Sequence, residues 1–407
     1  MLTRLSCLPT FAALRHRDFR VFWLAFVVSA AGTWMQIVAL SLLVLKLSHG
    51  SALALGCVSL SQASAFFVFA LVGGSFADRV DRTRLLIVTQ TALMLLATIL
   101  GVTTTLGAIN VPAIAAFAFI SGAILSFDQP ARAALVSTLV PQKDLLNAIS
   151  LQSVAFNGAA VAGPALAGLT AGLIGLPANF FLNALSYAAV LLALKSLGTN
   201  GAALSGRESL TRQIRIVLGS VRRDPVLLPV LCVYGTLLFA GPSLPLLLPV
   251  LAAGRLHVGP IALGFLFSAA GLGAIAGGLI LGRFPAPSAR LFLTAVAGWC
   301  TALALSGISI SVQITFCALV LLGVSQSMVG ASTSALLQTR VPPQQRGRVM
   351  SLNTLLLMGV RPLGDFPGGA AITLFGAPAA TVASAALVAG TTFALFAKGA
   401  SNRRTVT

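Results

Sequence analysis

The sequence predicts an all-α membrane protein, with twelve transmembrane helices arranged as two pseudo-symmetric six-helix bundles. Three observations lead there. The chain is 57% hydrophobic and 8% charged, with mean hydropathy +0.98, against roughly 25% charged in an ordinary soluble domain. Its apolar residues gather in runs of about 20, the length that crosses a hydrocarbon core of roughly 30 Å. The second half of the chain also repeats features of the first at a nearly constant offset, the mark of an internal repeat.

The apolar runs lie at 21–45, 52–76, 85–106, 111–131, 147–174, 179–197, 226–252, 261–282, 290–307, 309–336, 349–374 and 380–398. With the N-terminus in the cytoplasm, alternate crossing puts Lys46 and Arg255 outside and Arg361 within the membrane. Every other Lys and Arg falls on the cytoplasmic side. This positive-inside bias sets the orientation, with both termini in the cytoplasm and the chain multi-pass in the cytoplasmic (inner) membrane. It also assigns the net charge of +18 to the lipid surface rather than to nucleic acid, because no long soluble basic stretch exists.

The first run is too long for a signal-peptide core and no cleavage site follows it, so it reads as a retained helix. The organisation is then a leader at 1–20, a first bundle at 21–197, a cytoplasmic linker at 198–224, a second bundle at 225–398 and a tail at 399–407. Cys57, Cys232, Cys300 and Cys317 lie in spans and Cys7 in the leader, without paired spacing, so neither disulfide nor metal site is indicated. His16, His49 and His257 lie outside the spans. With no nucleotide-binding loop or nucleophile elbow, the chain reads as a non-enzyme that carries no cofactor.

Taken in order, the leader FAALRHRDFR (11–20) alternates aromatic and basic residues and is expected in the membrane interface. Span 1 carries Trp34 and Gln36, and span 2 carries Gln62; a buried Gln serves either as glue between helices or as cavity lining. Between spans 2 and 3 the stretch Gly73 to Arg84 concentrates Asp78, Asp81, Arg79, Arg82 and Arg84. Asp128 and Arg132 end span 4, four residues apart and able to face one another, close enough to the membrane edge to reach water. Span 5 brings Asn147, Gln152 and Asn157, then Gly158, Gly163 and Gly168, small residues that permit close helix packing. The linker is Gly, Ser and Ala rich and then basic, through Arg207, Arg212, Arg215, Arg222 and Arg223, consistent with a flexible segment followed by an amphipathic helix on the inner leaflet.

Span 11 holds Arg361 about 18 Å past its cytoplasmic end, near the bilayer midplane. Asp365 is within ion-pair reach, and Pro362, Gly364, Pro367, Gly368 and Gly369 are expected to kink or loosen the helix. An ionisable group at that depth costs at least about 2.5 kcal/mol and is a functional candidate. Arg361 suits an anionic substrate and Asp365 a transported proton, with Asp128 the second proton-coupling candidate. Alternatively, Arg361 and Asp365 neutralise each other and stabilise a bend. If neither carboxylate titrates, a uniporter or a different coupling ion follows.

The repeat is carried by LVPQKDLLNAISL from Leu139 and TRVPPQQRGRVMSL from Thr339. At an offset of 201, Val140, Pro141, Ser150, Leu151, Gly163, Gly168 and Gly175 fall on Val341, Pro342, Ser351, Leu352, Gly364, Gly369 and Gly376. Leu55 and Gly56 fall on Leu263 and Gly264 at an offset of 208, which places Asp78 on Ala286. The charged turn is therefore present in one half only.

Gly74-x-x-x-Asp78-Arg79-x-Asp81-Arg82-x-Arg84 resembles the signature between helices 2 and 3 of major facilitator superfamily transporters, departing from it at Asp81, where Gly is usual, and at Thr83. The segments WLAFVVSAAGTWMQ, FDQPARAALVSTLV and RGRVMSLN are similar to the branch holding enterobactin exporters and macrolide efflux proteins. The resemblance implies two bundles rocking about a central cavity. It places Asp78 at the N-terminus of helix 11, where the helix dipole favours it, and pairs Arg82 with Asp128. Gly74, Asp78, Arg79, Arg82, Asp128 and Arg132 would form a gating latch. The alternative is that the turn is simply positive-inside charge with two solvated Asp.

The implied function is secondary active export of an amphiphilic small molecule, a drug or a siderophore, by antiport with protons. Trp34, Gln36, Gln62, Asn157, Arg361 and Asp365 are the candidates for the cavity. A sensor or assembly subunit that keeps the fold without transporting, or a uniporter or importer, is the alternative.

Overall fold

The computed structural model describes residues 9–77, 80–197, 224, 226–284, 288–341, 350, 353 and 356–404. A 3-10 segment, Pro9–Arg15, leads into α1 (Arg17–Leu47), α2 (Ala52–Ala77), α3 (Arg82–Thr105), α4 (Val111–Leu139), α5 (Leu145–Leu173) and α6 (Leu176–Ser196). After the linker come α7a (Leu227–Ala240), α7b (Leu244–Leu251), α8 (Pro260–Leu281), α9 (Ala289–Ile308) and α10 (Val312–Arg340). A π turn, Leu356–Val360, precedes one helical run, Arg361–Arg404. Gly376 divides that run into α11 (361–375) and α12 (377–404), because its φ of 81° and ψ of 157° lie far from helical values.

Ten of these helices are long and apolar enough to cross a membrane, and the bent pair of α7 makes an eleventh span. The last of the ten, Arg361–Ala397, has 37 residues, roughly 55 Å at 1.5 Å per residue. That is nearly two bilayer crossings, and its division at Gly376 yields the twelfth. Large apolar side chains stand exposed on the helices, among them Val88 at 65%, Leu192 at 70% and Phe393 at 77%. Lipid is the solvent that makes such surfaces favourable, and only closed hydrogen-bonded backbones such as helices can cross it.

Helix starts follow local chemistry. Asn110 caps α4 by accepting the Ala113 N–H at 2.9 Å, and Ser288 caps α9 by accepting from Leu291 at 3.2 Å; such caps satisfy orphan donors of the first turn. Asp81 caps α3 in the same way, accepting the Arg84 N–H at 2.9 Å with its own φ at −55°. The position where the resembled signature has Gly thus needs no glycine conformation here.

By backbone packing the chain divides into two units. The first comprises Met1–Ser48, Ser61–Gly206 and Gly259–Ser268; the second comprises His49–Leu60, Arg207–Val258 and Ala269–Thr407. Within the first, α1 packs on α5 and α6, and α3 on α4 and α6. Phe19, Phe22, Leu86, Val136 and Leu194 form a core with the leader's Ala13 and Leu14. The leader is docked on the protein: the Ala13 N–H donates to Asn147 Oδ1 at 2.9 Å, and His16 Nε2 lies 2.9 Å from Asp144 Oδ2. Within the second unit, α9 packs on α10 and on the Arg361–Arg404 run, which also packs on α7a.

The repeat is written into the backbone. Gly175 at the start of α6 has φ 116° and ψ 162°, Gly376 at the start of α12 has φ 81° and ψ 157°, and each is followed by a proline whose Cδ lies 3.7 Å from where a Cβ would stand. Two departures from the apolar pattern stand out. The run at 226–252 is broken, with α7a and the stretch Leu244–Leu256 that α7b begins meeting at 42°, because Gly241, Pro242 and Pro245 interrupt the helical ladder. The expected loosening of span 11 falls in the π turn ahead of Arg361; after it Pro362, Gly364, Pro367, Gly368 and Gly369 all lie inside α11.

Candidate functional site

Two buried carboxylates stand within helices among the described residues, one in each unit: Asp128 at 1% exposure and Asp365 at 4%. Burying a carboxylate is costly unless hydrogen bonds or charge replace its water, so the partners of each define what it can do.

Asp128 is saturated. Arg132 donates to its Oδ2 from Nη2 at 2.7 Å and from Nε at 3.2 Å, as their spacing predicts. From α3, Thr89 Oγ1 donates to Oδ1 at 2.8 Å and Gln90 Nε2 at 2.7 Å. Because α4 continues to Leu139, Asp128 lies about 16 Å before its end. It is enclosed by protein, not turned out to water as its place in the apolar run implies.

Arg82 does not reach Asp128. It is 2% exposed, Nη1 donates to the Ala134 carbonyl at 3.4 Å, and its Nε has no hydrogen-bond partner. The latch pairing implied by the resemblance is thus not made in this structure, since Arg132 holds the carboxylate. Gly74 lies within α2, and Asp78 and Arg79 lie outside the described residues.

Asp365 does not pair with Arg361 either. Its Oδ1 accepts the Ser243 backbone N–H at 2.9 Å. That donor is freed by the break between α7a and α7b, since Ser243 is the N-cap of α7b, whose first N–H groups lack intrahelical acceptors. Arg361 turns elsewhere, with Nη2 donating to Gln326 Oε1 on α10 at 3.3 Å and Nε buried without a partner. Among the described residues no cation forms an ion pair with Asp365. The backbone approach is also close: a Cβ on Gly56 of α2 would stand 2.7 Å from the Asp365 carbonyl oxygen and 3.0 Å from Phe366 Cα.

The uncharged candidates separate. Gln36 Oε1 accepts from Asn183 Nδ2 on α6 at 2.7 Å, which makes it an interhelical tie. Gln62 is exposed on α2. Trp34 packs its ring 6.0 Å from Phe156, and its Nε1 is buried without a partner. Asn157 is exposed and lines a groove of about 300 Å³ together with Phe26, Ile149, Gln152, Ser153 and Phe156.

Sequence reasoning missed Thr89, Gln90, Ser243 and Gln326, which hold the charged groups, and Phe26, over whose ring Arg132 lies at 5.2 Å. The Gly241-Pro242-Ser243-Leu244-Pro245 run was the available signal for a helix break and a free N–H. Nothing local marks Thr89, Gln90 or Gln326.

Two apolar bundles of membrane-crossing helices, related by an internal repeat, define a transporter of the major facilitator superfamily rather than an enzyme. The chain belongs to the family described as transmembrane secretion effector, whose profile matches residues 8–402. It is 27% identical over 389 residues to the enterobactin exporter EntS of Citrobacter koseri, covering 95% of this chain and 90% of that one. It is 27% identical over 364 residues to the multidrug efflux pump Tap of Mycolicibacterium fortuitum, covering 84% and 85%. Its fold is similar to that of a bacterial homolog of the human lysosomal transporter Spinster in an inward-facing, unoccupied conformation, with TM-score 0.72 and 15% identity, covering 95% and 97%.

Proposed function

We propose that this chain exports an amphiphilic small molecule of the siderophore or drug class by alternating access, driven by protons moving inward across the cytoplasmic membrane, with both termini in the cytoplasm. The observation that carries the reading is Asp365, a buried carboxylate in a membrane helix that accepts from the neutral Ser243 N–H, has the Ser243 and Ser59 hydroxyls beside it and has no bonded cation among the described residues. A carboxylate so placed can take up and release a proton as the helices around it move. Outward direction is supported by the two relatives, one an exporter and one an efflux pump.

Asp128 is the gating group in this reading. Arg132 holds it in the present arrangement, and Arg82, buried with an unpartnered Nε at the start of α3, takes over the carboxylate in the alternate state, with Gly74, Asp78 and Arg79 completing the latch. An ion pair at a partly dry interface is strong enough to bias two states and weak enough to be exchanged.

The test uses the purified chain in liposomes with an imposed pH gradient, and a panel of siderophores and cationic drugs as probes. Gradient-driven accumulation of a panel member is expected with the native chain and is abolished by Asp365→Asn. Undiminished gradient-driven transport in Asp365→Asn sinks the coupling assignment, and equal transport without any gradient indicates a uniporter.

A further inference from the structure

We propose that the groove between α1 and α5 is a subsite for an aromatic ring bearing an oxygen acceptor, and that Phe26 ties its occupancy to the Asp128–Arg132 pair. The inference deepens the transport reading and rests on Asp128 being the gating group.

The walls specify the ligand. Phe26 of α1 and Phe156 of α5 give the groove two rings, and Phe156 is backed by Trp34 with ring centroids 6.0 Å apart. Aromatic rings favour a further ring in offset or edge contact, beyond what apolar area alone contributes. The remaining lining is amide and hydroxyl: Gln152, Ser153 and Asn157. Asn157 is exposed in the groove, so its amide nitrogen is a donor that a ligand can reach. A ligand oxygen that accepts from it supplies the hydrogen bond that orients the ring. No carboxylate or cation lines the groove, so the ring and its acceptor are neutral. The volume of about 300 Å³ takes a two-ring aryl amide.

Phe26 supplies the link. The ring that lines the groove is the one over which the Arg132 guanidinium lies at 5.2 Å, and Arg132 is bound through two nitrogens to Asp128. A ligand ring against Phe26 and a cation above it use the same π system, so each changes the other's hold, and the dependence is reciprocal. Replacing Asp128 by Asn keeps an acceptor oxygen but removes the charge that holds Arg132, so the seat of the guanidinium on the ring, and with it the ligand's hold, changes.

Two probes isolate the ring from the acceptor: 2-naphthamide and its saturated counterpart, decahydronaphthalene-2-carboxamide. Calorimetric titration of the full chain in nanodiscs is expected to show the naphthamide binding at least fivefold tighter. That preference is lost in Phe26→Leu and kept in Phe26→Tyr, which retains the ring and reports that the position tolerates change. Asp128→Asn is expected to change naphthamide binding at least threefold when Phe26 is present and to have no effect in the Phe26→Leu background. Equal binding of the two probes overturns the subsite, and an Asp128→Asn effect of the same size with and without Phe26 overturns the link. Both readouts are binding equilibria, so failure of proton-driven transport would count against the export reading while leaving the groove to be judged on its own.

Discussion

Asp365 and Asp128 answer the same physical problem with different partners, and the difference sets what each substitution does. Asp365 accepts from the Ser243 N–H and lies beside the neutral Ser243 and Ser59 hydroxyls. Asp365→Asn keeps an acceptor oxygen there and is expected to lower stability by less than about 1 kcal/mol. Asp365→Leu strands the donor and is expected to cost about 1–3 kcal/mol. Thermal unfolding in detergent compares the two, and equal losses would show that the Ser243 bond is not what holds this carboxylate. Asp128 is bound to a guanidinium, so Asp128→Asn leaves Arg132 partly buried without its counter-ion. A fully buried pair broken in this way costs about 3–5 kcal/mol, and the 18% exposure of Arg132 reduces that to about 2–3 kcal/mol. Thr89→Val removes one hydrogen bond to the same carboxylate and is expected to cost about 1 kcal/mol.

At the scale of elements, breaks matter as much as helices. Gly175 and Gly376 turn the chain into α6 and α12 at positive φ, each just ahead of a proline. A side chain at either is strained in that backbone region by about 1–3 kcal/mol. Gly175→Ala and Gly376→Ala are therefore expected to lower stability by similar amounts, checked by parallel unfolding curves; a neutral effect at either would contradict the backbone reading. The break in α7 has a different use, because it supplies the backbone donor that Asp365 accepts. A straight α7 would spend that N–H on its own ladder and leave the carboxylate without it.

For the whole molecule, the two halves share the repeat but not the charge. Gly56 in the second unit and Gly264 in the first are repeat-related, and each is a point of close backbone approach. A Cβ on Gly56 meets the Asp365 carbonyl at 2.7 Å, and one on Gly264 meets the Pro164 carbonyl and lies 3.1 Å from Gly168 Cα. Gly56→Leu and Gly264→Leu are each expected to introduce an overpacking strain that lowers stability by about 1–3 kcal/mol. Thermal unfolding in detergent checks this, and a loss confined to one of the two variants would show that the repeat-related contacts are not equivalent in holding the fold.

The apolar runs, the repeat and the isolation of Arg361 and Asp365 in a greasy helix were all legible in the sequence, because partition into lipid depends on composition over about 20 residues and needs no knowledge of neighbours. Which atoms meet was not legible. Arg132 and Asp128 are an exception, since four residues on one helix face each other whatever surrounds them. Arg82, Arg361 and Asp365 found partners in Ala134, Gln326 and Ser243, choices set by the rotation and depth at which helices pack and by a break in α7. Hydropathy is local and survives any arrangement of the helices. The hydrogen bond that a buried charge makes depends on a few ångströms of relative placement, and only the packed tertiary structure decides that.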